Sequence, residues 1–527
     1  MARATYWTSP QWTSTSARRF SWGAPKTLPK WNSSCRAFIR SSSVLMSSPF
    51  RQLARDSVIY GASTVVQRLL TFLLTPLYTN VLAPAAFGDV AQLYSLMALA
   101  TVLATAGFDQ AFMRYWVEYH PRQSVLATAI AGAGVSAVAV CGLGVLAAPA
   151  IAQTMALSSS GGAALVVMAM GIVLFDALGT VPFAFLRMER RSVLFALVRL
   201  GIVVLNVALN VVLVAWGQWG VSGVMLAGLA SSLVGMLIVL PVAASQIRWQ
   251  WDRVLVATML RFGLPTVPAA LAAMVVQVAD RPLLGWMSGA TAVGIYNANY
   301  RLAIPMMLAV SVYETAWRPL YLHHAGDPRI AELLARALRY FLGVAVAIFA
   351  VVTVFVGDIV AIPVGRGHLI GSEYWEGLSV VPIVMAGYIA LGLTTTMAAS
   401  IQIGKRTGLL PLIHGLAAAV NIILNLVLIP PMGYIGAAWA TFGAYGAGAI
   451  VTAVVARRIL PVRYSWRSVA MAALLCGAIG WVGQLFPQRG MLEWKAGAVV
   501  LSWAAAAALA GLSPQQFLRL VQVFRRS

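Results

Sequence analysis

One pattern recurs fourteen times along this chain: a run of about twenty apolar residues, with arginine or lysine gathered at alternate ends. A segment that crosses about 30 Å of hydrocarbon needs that length, and without water to satisfy its backbone it has to be helical. Hydrophobic residues make up 60% of the 527 positions and charged ones only 10%, which leaves too little polar surface for a soluble domain. The pattern predicts an all-α polytopic membrane protein. Its spans run approximately over 57–82, 87–110, 124–148, 161–185, 192–216, 219–242, 264–287, 292–317, 338–356, 377–401, 409–429, 435–456, 469–485 and 494–512.

Orientation follows from the cations, because lysine and arginine are retained in the cytoplasm while short neutral loops cross. One side carries Arg114 and Arg122, then Arg187, Arg190 and Arg191, then Arg248, Arg253 and Arg261, and later Arg318, Arg329, Arg336, Lys405, Arg406, Arg457, Arg458, Arg463, Arg467 and the basic end. The other holds only Arg366, Arg489 and Lys495. Both termini are therefore expected in the cytoplasm of a cell (inner) membrane protein. The net charge of +22 reads as topological retention plus attraction to anionic headgroups. Nucleic-acid binding would need a soluble basic domain, and Trp116, Trp216, Trp219 and Trp317 sit where interfacial anchors belong. Cys35, Cys141 and Cys476 are too scattered for a disulfide framework or a metal cluster, and neither a metal nor a cofactor is implied. His323 and His324 read as a solvated pair.

Residues 1–55 differ in kind: rich in Ser, Arg and Trp, with no acid before Asp56. They read as a disordered basic tail or an over-extended start with Met46 as initiator. A transit peptide matches them only superficially. The remainder divides into residues 56–245 (spans 1–6), 246–458 (spans 7–12) and 459–527 (spans 13–14 and a basic tail). Internal repetition supports that division. The stretch 180–210 overlays 395–425 at a constant shift, placing Arg190-Arg191-Ser192 on Lys405-Arg406-Thr407, Arg199 on His414, Asn206 on Asn421 and Asn210 on Asn425. A Gly-x-x-Gly follows each, at Gly220/Gly223 and Gly433/Gly436, and Gly88 leads to Tyr94 as Gly294 leads to Tyr300. Two six-helix lobes in the same orientation, related by a pseudo-two-fold along the membrane normal, plus two C-terminal helices, are expected. Substrate binds between the halves of such parallel repeats.

Charged residues within spans cost roughly 2.5–3.5 kcal/mol each on insertion scales and normally face a cavity or a partner. Arg68 lies mid-span with Thr64, Thr71, Thr75 and Thr79 on its helical face. Arg199, Asn206 and Asn210 share a face, repeated by His414, Asn421 and Asn425. Gln277, Asp280 and Arg281 group just ahead of Pro282, and Asn297 stands four residues before Arg301. Asn at helix interfaces is commonly interhelical glue, Asp280 can neutralise Arg281, and Arg339 and Asp176 lie near span ends where they can reach the interface. Arg68 and Arg301 have no acid one turn away.

These residues carry a resemblance. Tyr60-Gly61, Phe112-Met113-Arg114-Tyr115, Phe262-Gly263-Leu264-Pro265, Asp280-Arg281 and Ala292-Val293-Gly294-Ile295-Tyr296 leading to Tyr300-Arg301-Leu302-Ala303, taken in order, resemble the polysaccharide-biosynthesis, oligosaccharide flippase family of the multidrug/oligosaccharidyl-lipid/polysaccharide exporter superfamily. The resemblance covers about 56–458. It implies a two-lobed transporter, not an enzyme, that flips a polyprenyl-diphosphate-linked oligosaccharide to the outer leaflet through a cationic cavity. Its partners would be that lipid, the membrane lipids and other polysaccharide-assembly proteins. Arg68, Arg281 and Arg301 would be head-group cations, with Arg199 also facing substrate and Arg114 receiving the diphosphate at the cytoplasmic side. Asp280 and Glu314 would tune charge or sense a coupling ion, and Thr64, Thr71, Thr75, Gln277 and Asn297 would line the cavity. Guanidinium suits this work, being permanently charged and forked toward phosphate oxygens. Pro76, Pro265, Pro268, Pro282 and Pro305 are the expected bending points.

Two rival classes share parts of this pattern. A drug or cation antiporter of the same superfamily would prefer carboxylates in its cavity, whereas this chain puts more arginine than acid in mid-membrane. A membrane glycosyltransferase or O-antigen polymerase would need a sizeable outer loop, and the longest here, 357–376, with Asp358, Arg366, His368, Glu373 and Glu376, is short for that work. No Gly-x-x-x-x-Gly-Lys loop for a nucleotide occurs. A reporter fused beside Arg190 is expected to report the cytoplasm; activity outside would reverse the orientation.

Overall fold

The computed structural model describes residues 66, 70, 72–120, 122–247, 253–485 and 491–511. The described residues are almost entirely helical, as backbone must be where lipid offers no hydrogen bonds. Helix α1 covers residues 72–81. It is followed by α2 (Pro84–Thr105), α3 (Phe108–Glu118), α4 (Arg122–Leu146), α5 (Ala148–Thr154), α6 (Gly162–Met188), α7 (Ser192–Asn210, extended by a π-helical turn to Trp216) and α8 (Gly220–Ala244). Then come α9 (Arg253–Gly263), α10 (Val267–Val278), α11 (Asp280–Tyr300), α12 (Ile304–His323), α13 (Ile330–Val360), α14 (Val380–Ile403), α15 (Leu409–Ile459), α16 (Trp466–Leu485) and α17 (Leu492–Ala510). A two-residue hairpin, β1 (Pro363–Val364) and β2 (Gly367–His368), and a 3-10 helix over Ser372–Ser379 join α13 to α14.

Among the described residues, eleven continuous helical stretches are long and apolar enough to cross a membrane. Two of them, Val254–His323 and Leu409–Ile459, bend at Gly289 (φ 83°) and Gly433 (φ 55°). These breaks fall between the spans expected at 264–287 and 292–317, and at 409–429 and 435–456. Large apolar side chains such as Leu146 (82% exposed), Trp216 (77%) and Leu501 (73%) point outward, an arrangement that only lipid makes tolerable. The chain is a multi-pass membrane protein. Helix α13 starts eight residues before the span expected from Leu338, because its first turns bury Ile330 and Leu334 against Trp317 and Tyr321 and continue the helix below the apolar run.

Of the expected bending points, Pro265 lies in a 3-10 turn (Leu264–Thr266) and Pro268 starts α10. Pro282 sits in the first turn of α11, where its missing N–H ends α10 at Val278. Pro305 cannot donate to the Arg301 carbonyl, and the backbone tightens there into a 3-10 turn, Arg301–Ala303, with Ile304 N bonding that oxygen instead. Helix α1 runs through Pro76 unbroken.

The repeat read from sequence recurs in the backbone. Arg190 and Lys405 both adopt φ 55°, and each closes a helix with the same pair of bonds: Arg190 N to Arg187 O and Arg191 N to Leu186 O, Lys405 N to Gln402 O and Arg406 N to Ile401 O. Gly220 (φ 58°) matches Gly433 (φ 55°). Asn210 Nδ2 donates to Asn206 O at 2.8 Å, and Asn425 Nδ2 to Asn421 O at 2.8 Å.

Helices α2, α4, α6, α7 and α8 pack largely on one another, as do α13 to α17, and α2 meets α11 across the junction. There the backbones nearly touch. A Cβ on Gly88 would lie 1.9 Å from the Ala290 carbonyl oxygen, and one on Gly294 would lie 1.9 Å from that of Pro84. Glycine is the one residue that permits this approach, which without a hydrophobic driving force in lipid supplies the van der Waals contact that associates helices. A second close contact, Gly107 against Gly263, lies near the arginine-rich face. Gly294→Ala is expected to cost about 1–3 kcal/mol of overpacking and to lower the thermal unfolding temperature in detergent, whereas Gly142→Ala, where a Cβ meets nothing within 4 Å, is expected to leave it unchanged.

Candidate functional site

Helix α11 descends from the Gly289 break to Arg301, roughly 18 Å along its axis at 1.5 Å per residue, which puts Arg301 near the middle of a hydrocarbon core about 30 Å thick. Arg301 Nη1 donates to Thr75 Oγ1 of α1 at 3.0 Å, and its Cζ lies 5.2 Å from the Phe87 ring centroid of α2. Side chains lean toward the N-terminus of their helix, which carries this guanidinium back along α11 to the α1–α2 corner. It spans the junction. Tyr78 and Tyr94 lie within its electrostatic range, and among the described residues no carboxylate pairs with it.

Arg281, at a similar depth, is held differently. Its Nη1 donates to Asp280 Oδ1 (2.8 Å) and to the Gln277 carbonyl (2.6 Å), and its Nε to Asn297 Oδ1 (3.4 Å). The Tyr300 ring stacks 4.5 Å from its Cζ. Asp280 is 1% exposed and also accepts from Tyr296 Oη at 2.5 Å. Tyr388 Oη donates to Tyr300 Oη at 2.9 Å, and Tyr445 packs beside Tyr388. Among the described residues, two arginines and one aspartate therefore stand among six tyrosines: Tyr78, Tyr94, Tyr296, Tyr300, Tyr388 and Tyr445. The expected head-group cation Arg281 is an ion-pair member, because a buried guanidinium beside a carboxylate gains more from that partner than from an empty cavity. Arg301 supplies the net positive charge.

Of the remaining expected site residues, Thr75, Gln277 and Asn297 join these groups and Arg199, Arg114 and Glu314 lie away from them. Arg68, Thr64 and Thr71 lie outside the described residues. Thr75 is fully buried and accepts from Arg301, while Thr79 spends its hydroxyl on the Thr75 carbonyl. Gln277 contributes its carbonyl, its side chain being exposed. Asn297 joins the Arg281 group with its Nδ2 unpartnered. Arg199 stacks 4.0 Å over Phe183 within the N-terminal helices, in electrostatic range of Asp176. Arg114 pairs with Glu118 at 3.4 Å and lies 4.6 Å over Phe262, beside the Gly107–Gly263 contact. Glu314 is exposed on α12, within electrostatic range of His414 and Tyr321. The asparagine stripes are knotted on themselves, and Tyr78 Oη also donates to Asn210 Oδ1 at 2.8 Å. No periodicity flagged the tyrosines, since aromatic residues in an apolar run read as core. The one available signal was the equal spacing of Gly88–Tyr94 and Gly294–Tyr300.

An apolar groove of about 1010 Å³ runs between α13, α14, the second half of α15 and α16. Phe349, Pro382, Trp439, Phe442 and Val469 line it, with Arg457 and Trp466 towards the arginine-rich face and Trp481 towards the other. None of the arginine–tyrosine group borders it.

The described residues thus form a polytopic helical bundle with a charged group buried where α1, α2 and α11 meet. The chain belongs to the family described as polysaccharide biosynthesis protein, whose model matches residues 53–321. Its fold is similar to that of the lipid II flippase MurJ in an inward closed conformation, with TM-score 0.69 and 14% identity over 86% of this chain and 98% of that one. It is also similar to an inward-facing multidrug resistance MATE family transporter of the MOP superfamily (TM-score 0.56, 16% identity, 75% and 95% covered). A variant of the Vibrio cholerae MATE transporter VcmN shares the fold too (TM-score 0.54, 14% identity, 78% and 97% covered). Among curated proteins, none matches this chain in sequence.

Removing one member of a buried ion pair leaves the other uncompensated. Asp280→Asn is expected to cost about 3–5 kcal/mol, while the double change Asp280→Asn with Arg281→Met recovers most of it, read by thermal unfolding of the detergent-solubilised protein.

Proposed function

We propose that this transporter flips a polyprenyl-diphosphate-linked oligosaccharide from the cytoplasmic to the outer leaflet during polysaccharide biosynthesis. Arg301 carries the reading. It is a permanently charged group at mid-membrane depth, bonded to a hydroxyl and not to a carboxylate, a placement costly enough to imply a function. A lipid diphosphate brings the missing anion, and the guanidinium fork suits its oxygens. Family membership and the fold shared with a lipid II flippase support a lipid-linked substrate. The apolar groove beside α16 offers a lipid tail a path along the bundle while the head group sits at the junction.

In this reading the helices before and after α9 are two six-helix lobes related by a pseudo-two-fold, with α16 and α17 added. Dividing the stretches bent at Gly289 and Gly433, and adding the helix that ends at Val81, brings the spans to fourteen. Both termini and the arginine-rich face lie in the cytoplasm. Rocking of the lobes about the α2–α11 contact exposes Arg301 to either side in turn. Arg68 would add a second cation, Arg114 would meet the diphosphate at the cytoplasmic gate, Asp280 would tune the charge of Arg281, and Glu314 would couple an ion. An antiporter of cationic drugs needs an unspent carboxylate at the junction, and Asp280 is taken by Arg281 and Tyr296.

In cells that depend on this protein for a surface polysaccharide, Arg301→Ala is expected to abolish export at normal protein levels, with Arg301→Lys keeping a fraction. Ethidium efflux should be no faster than without the protein. Full export by Arg301→Ala would remove the reading.

A further inference from the structure

The segment between α13 and α14 crosses the junction at the arginine-poor face. Asn80, at the end of α1, donates from Nδ2 to His368 O at 2.7 Å and accepts at Oδ1 from His368 N at 3.1 Å. This reciprocal pair lets one side-chain amide stand in for a strand beside β2. A further bond from Nδ2 to Pro76 O (2.7 Å) fixes the amide's orientation. Six residues on, Tyr374 is fully buried and donates to Leu82 O at 2.7 Å, satisfying a carbonyl that the helix end leaves without a partner. Its ring meets Phe87 of α2 edge-on, with centroids 5.9 Å apart, and its own carbonyl accepts from Asn299 Nδ2 of α11 at 2.8 Å. Between the two catches, a Cβ on Gly371 would lie 2.1 Å from the Thr79 carbonyl oxygen, so the strap lies flush on the α1 terminus. It ties α1 and α2 to α11 and α14.

We infer that residues 361–379 form the latch of the gate at this face, with Asn80 and Tyr374 as its two catches. The α2–α11 contact beside it is bare backbone packing, whereas the strap is held by directional bonds that break and re-form as units. Parting α1 from α11, as release of substrate at this face requires, has to free both catches. This inference rests on the alternating-access reading but not on the identity of the cargo.

The test uses full-length protein with Cys35, Cys141 and Cys476 changed to alanine and a single reporter, Ser95→Cys, on the α2 face below the strap. Ser95 is 2% exposed. Its labelling by a membrane-impermeant thiol reagent added outside intact cells is expected to be slow, and to rise about five-fold or more with Asn80→Ala and with Tyr374→Phe, which keeps the ring and loses only the hydroxyl. A control reporter, Ser231→Cys, equally buried within the N-terminal helices, is expected to stay unlabelled. Cross-linking Asn80→Cys to His368→Cys with a short, cleavable bifunctional thiol reagent is expected to stop export, and cleavage to restore it. Unchanged Ser95→Cys labelling in both variants, or labelling of Ser231→Cys alongside it, overturns the latch, as does full export by the cross-linked protein. If export proves insensitive to Arg301→Ala while labelling rises as stated, the latch stands and the cargo reading alone falls.

Discussion

A guanidinium at mid-membrane depth is expensive, and this fold treats its two junction arginines in opposite ways. Arg281 is compensated by Asp280, the Gln277 carbonyl and the Tyr300 ring. Arg301 has a threonine hydroxyl and the Phe87 ring, which offset desolvation only in part. The tyrosines suit both roles, since each offers an apolar body that packs and a hydroxyl that bonds. Among the described residues the cluster thus carries one net positive charge in a position that bridges α1, α2 and α11.

The residue spacing around that charge recurs along the chain while its chemistry does not. Pro76 and Gly88 are spaced as Pro282 and Gly294 are, and the two glycines of this register pack against each other. In the same register Thr75 corresponds to Arg281 and Ser95 to Arg301, so both cations belong to the second copy. Tyr78 corresponds to Leu284, and the effect is visible one helix away: Asn210 Oδ1 accepts from Tyr78, whereas the matching Asn425 Oδ1 has no partner. In the proposed alternating-access cycle, a recurring backbone with divergent side chains would let two matched bodies rock while the ligand-facing groups stay specialised.

Much of the fold was legible because bilayer thickness sets span length directly. The bends at Gly289 and Gly433 fall in the expected gaps, and the Arg190/Lys405 and Asn206-Asn210/Asn421-Asn425 correspondences recur in backbone angles and hydrogen bonds. Helix α13 escaped at its start because Ile330 and Leu334 continue it by tertiary packing beyond the apolar run. The site was legible only in part. Arg301 stands out in sequence as a cation without an acid one turn away, but the ring of tyrosines comes from five helices that no local pattern connects. Polar stripes did not separate ligand-facing groups from structural ones: Thr79 bonds within its own helix, and Asn210 bonds both within its helix and to Tyr78 of α1. Docking of the strap on α1 was equally invisible, since Asn80 and His368 meet only through the tertiary fold.

The most direct measurement is binding of a short polyprenyl diphosphate to the purified protein in lipid nanodiscs, with the corresponding neutral polyprenol as reference. Preferential binding of the diphosphate, lost by ten-fold or more in Arg301→Ala but retained in Arg199→Ala, is what the account predicts. Equal affinity for the charged and neutral lipids, or a diphosphate affinity unmoved by Arg301→Ala, would contradict it.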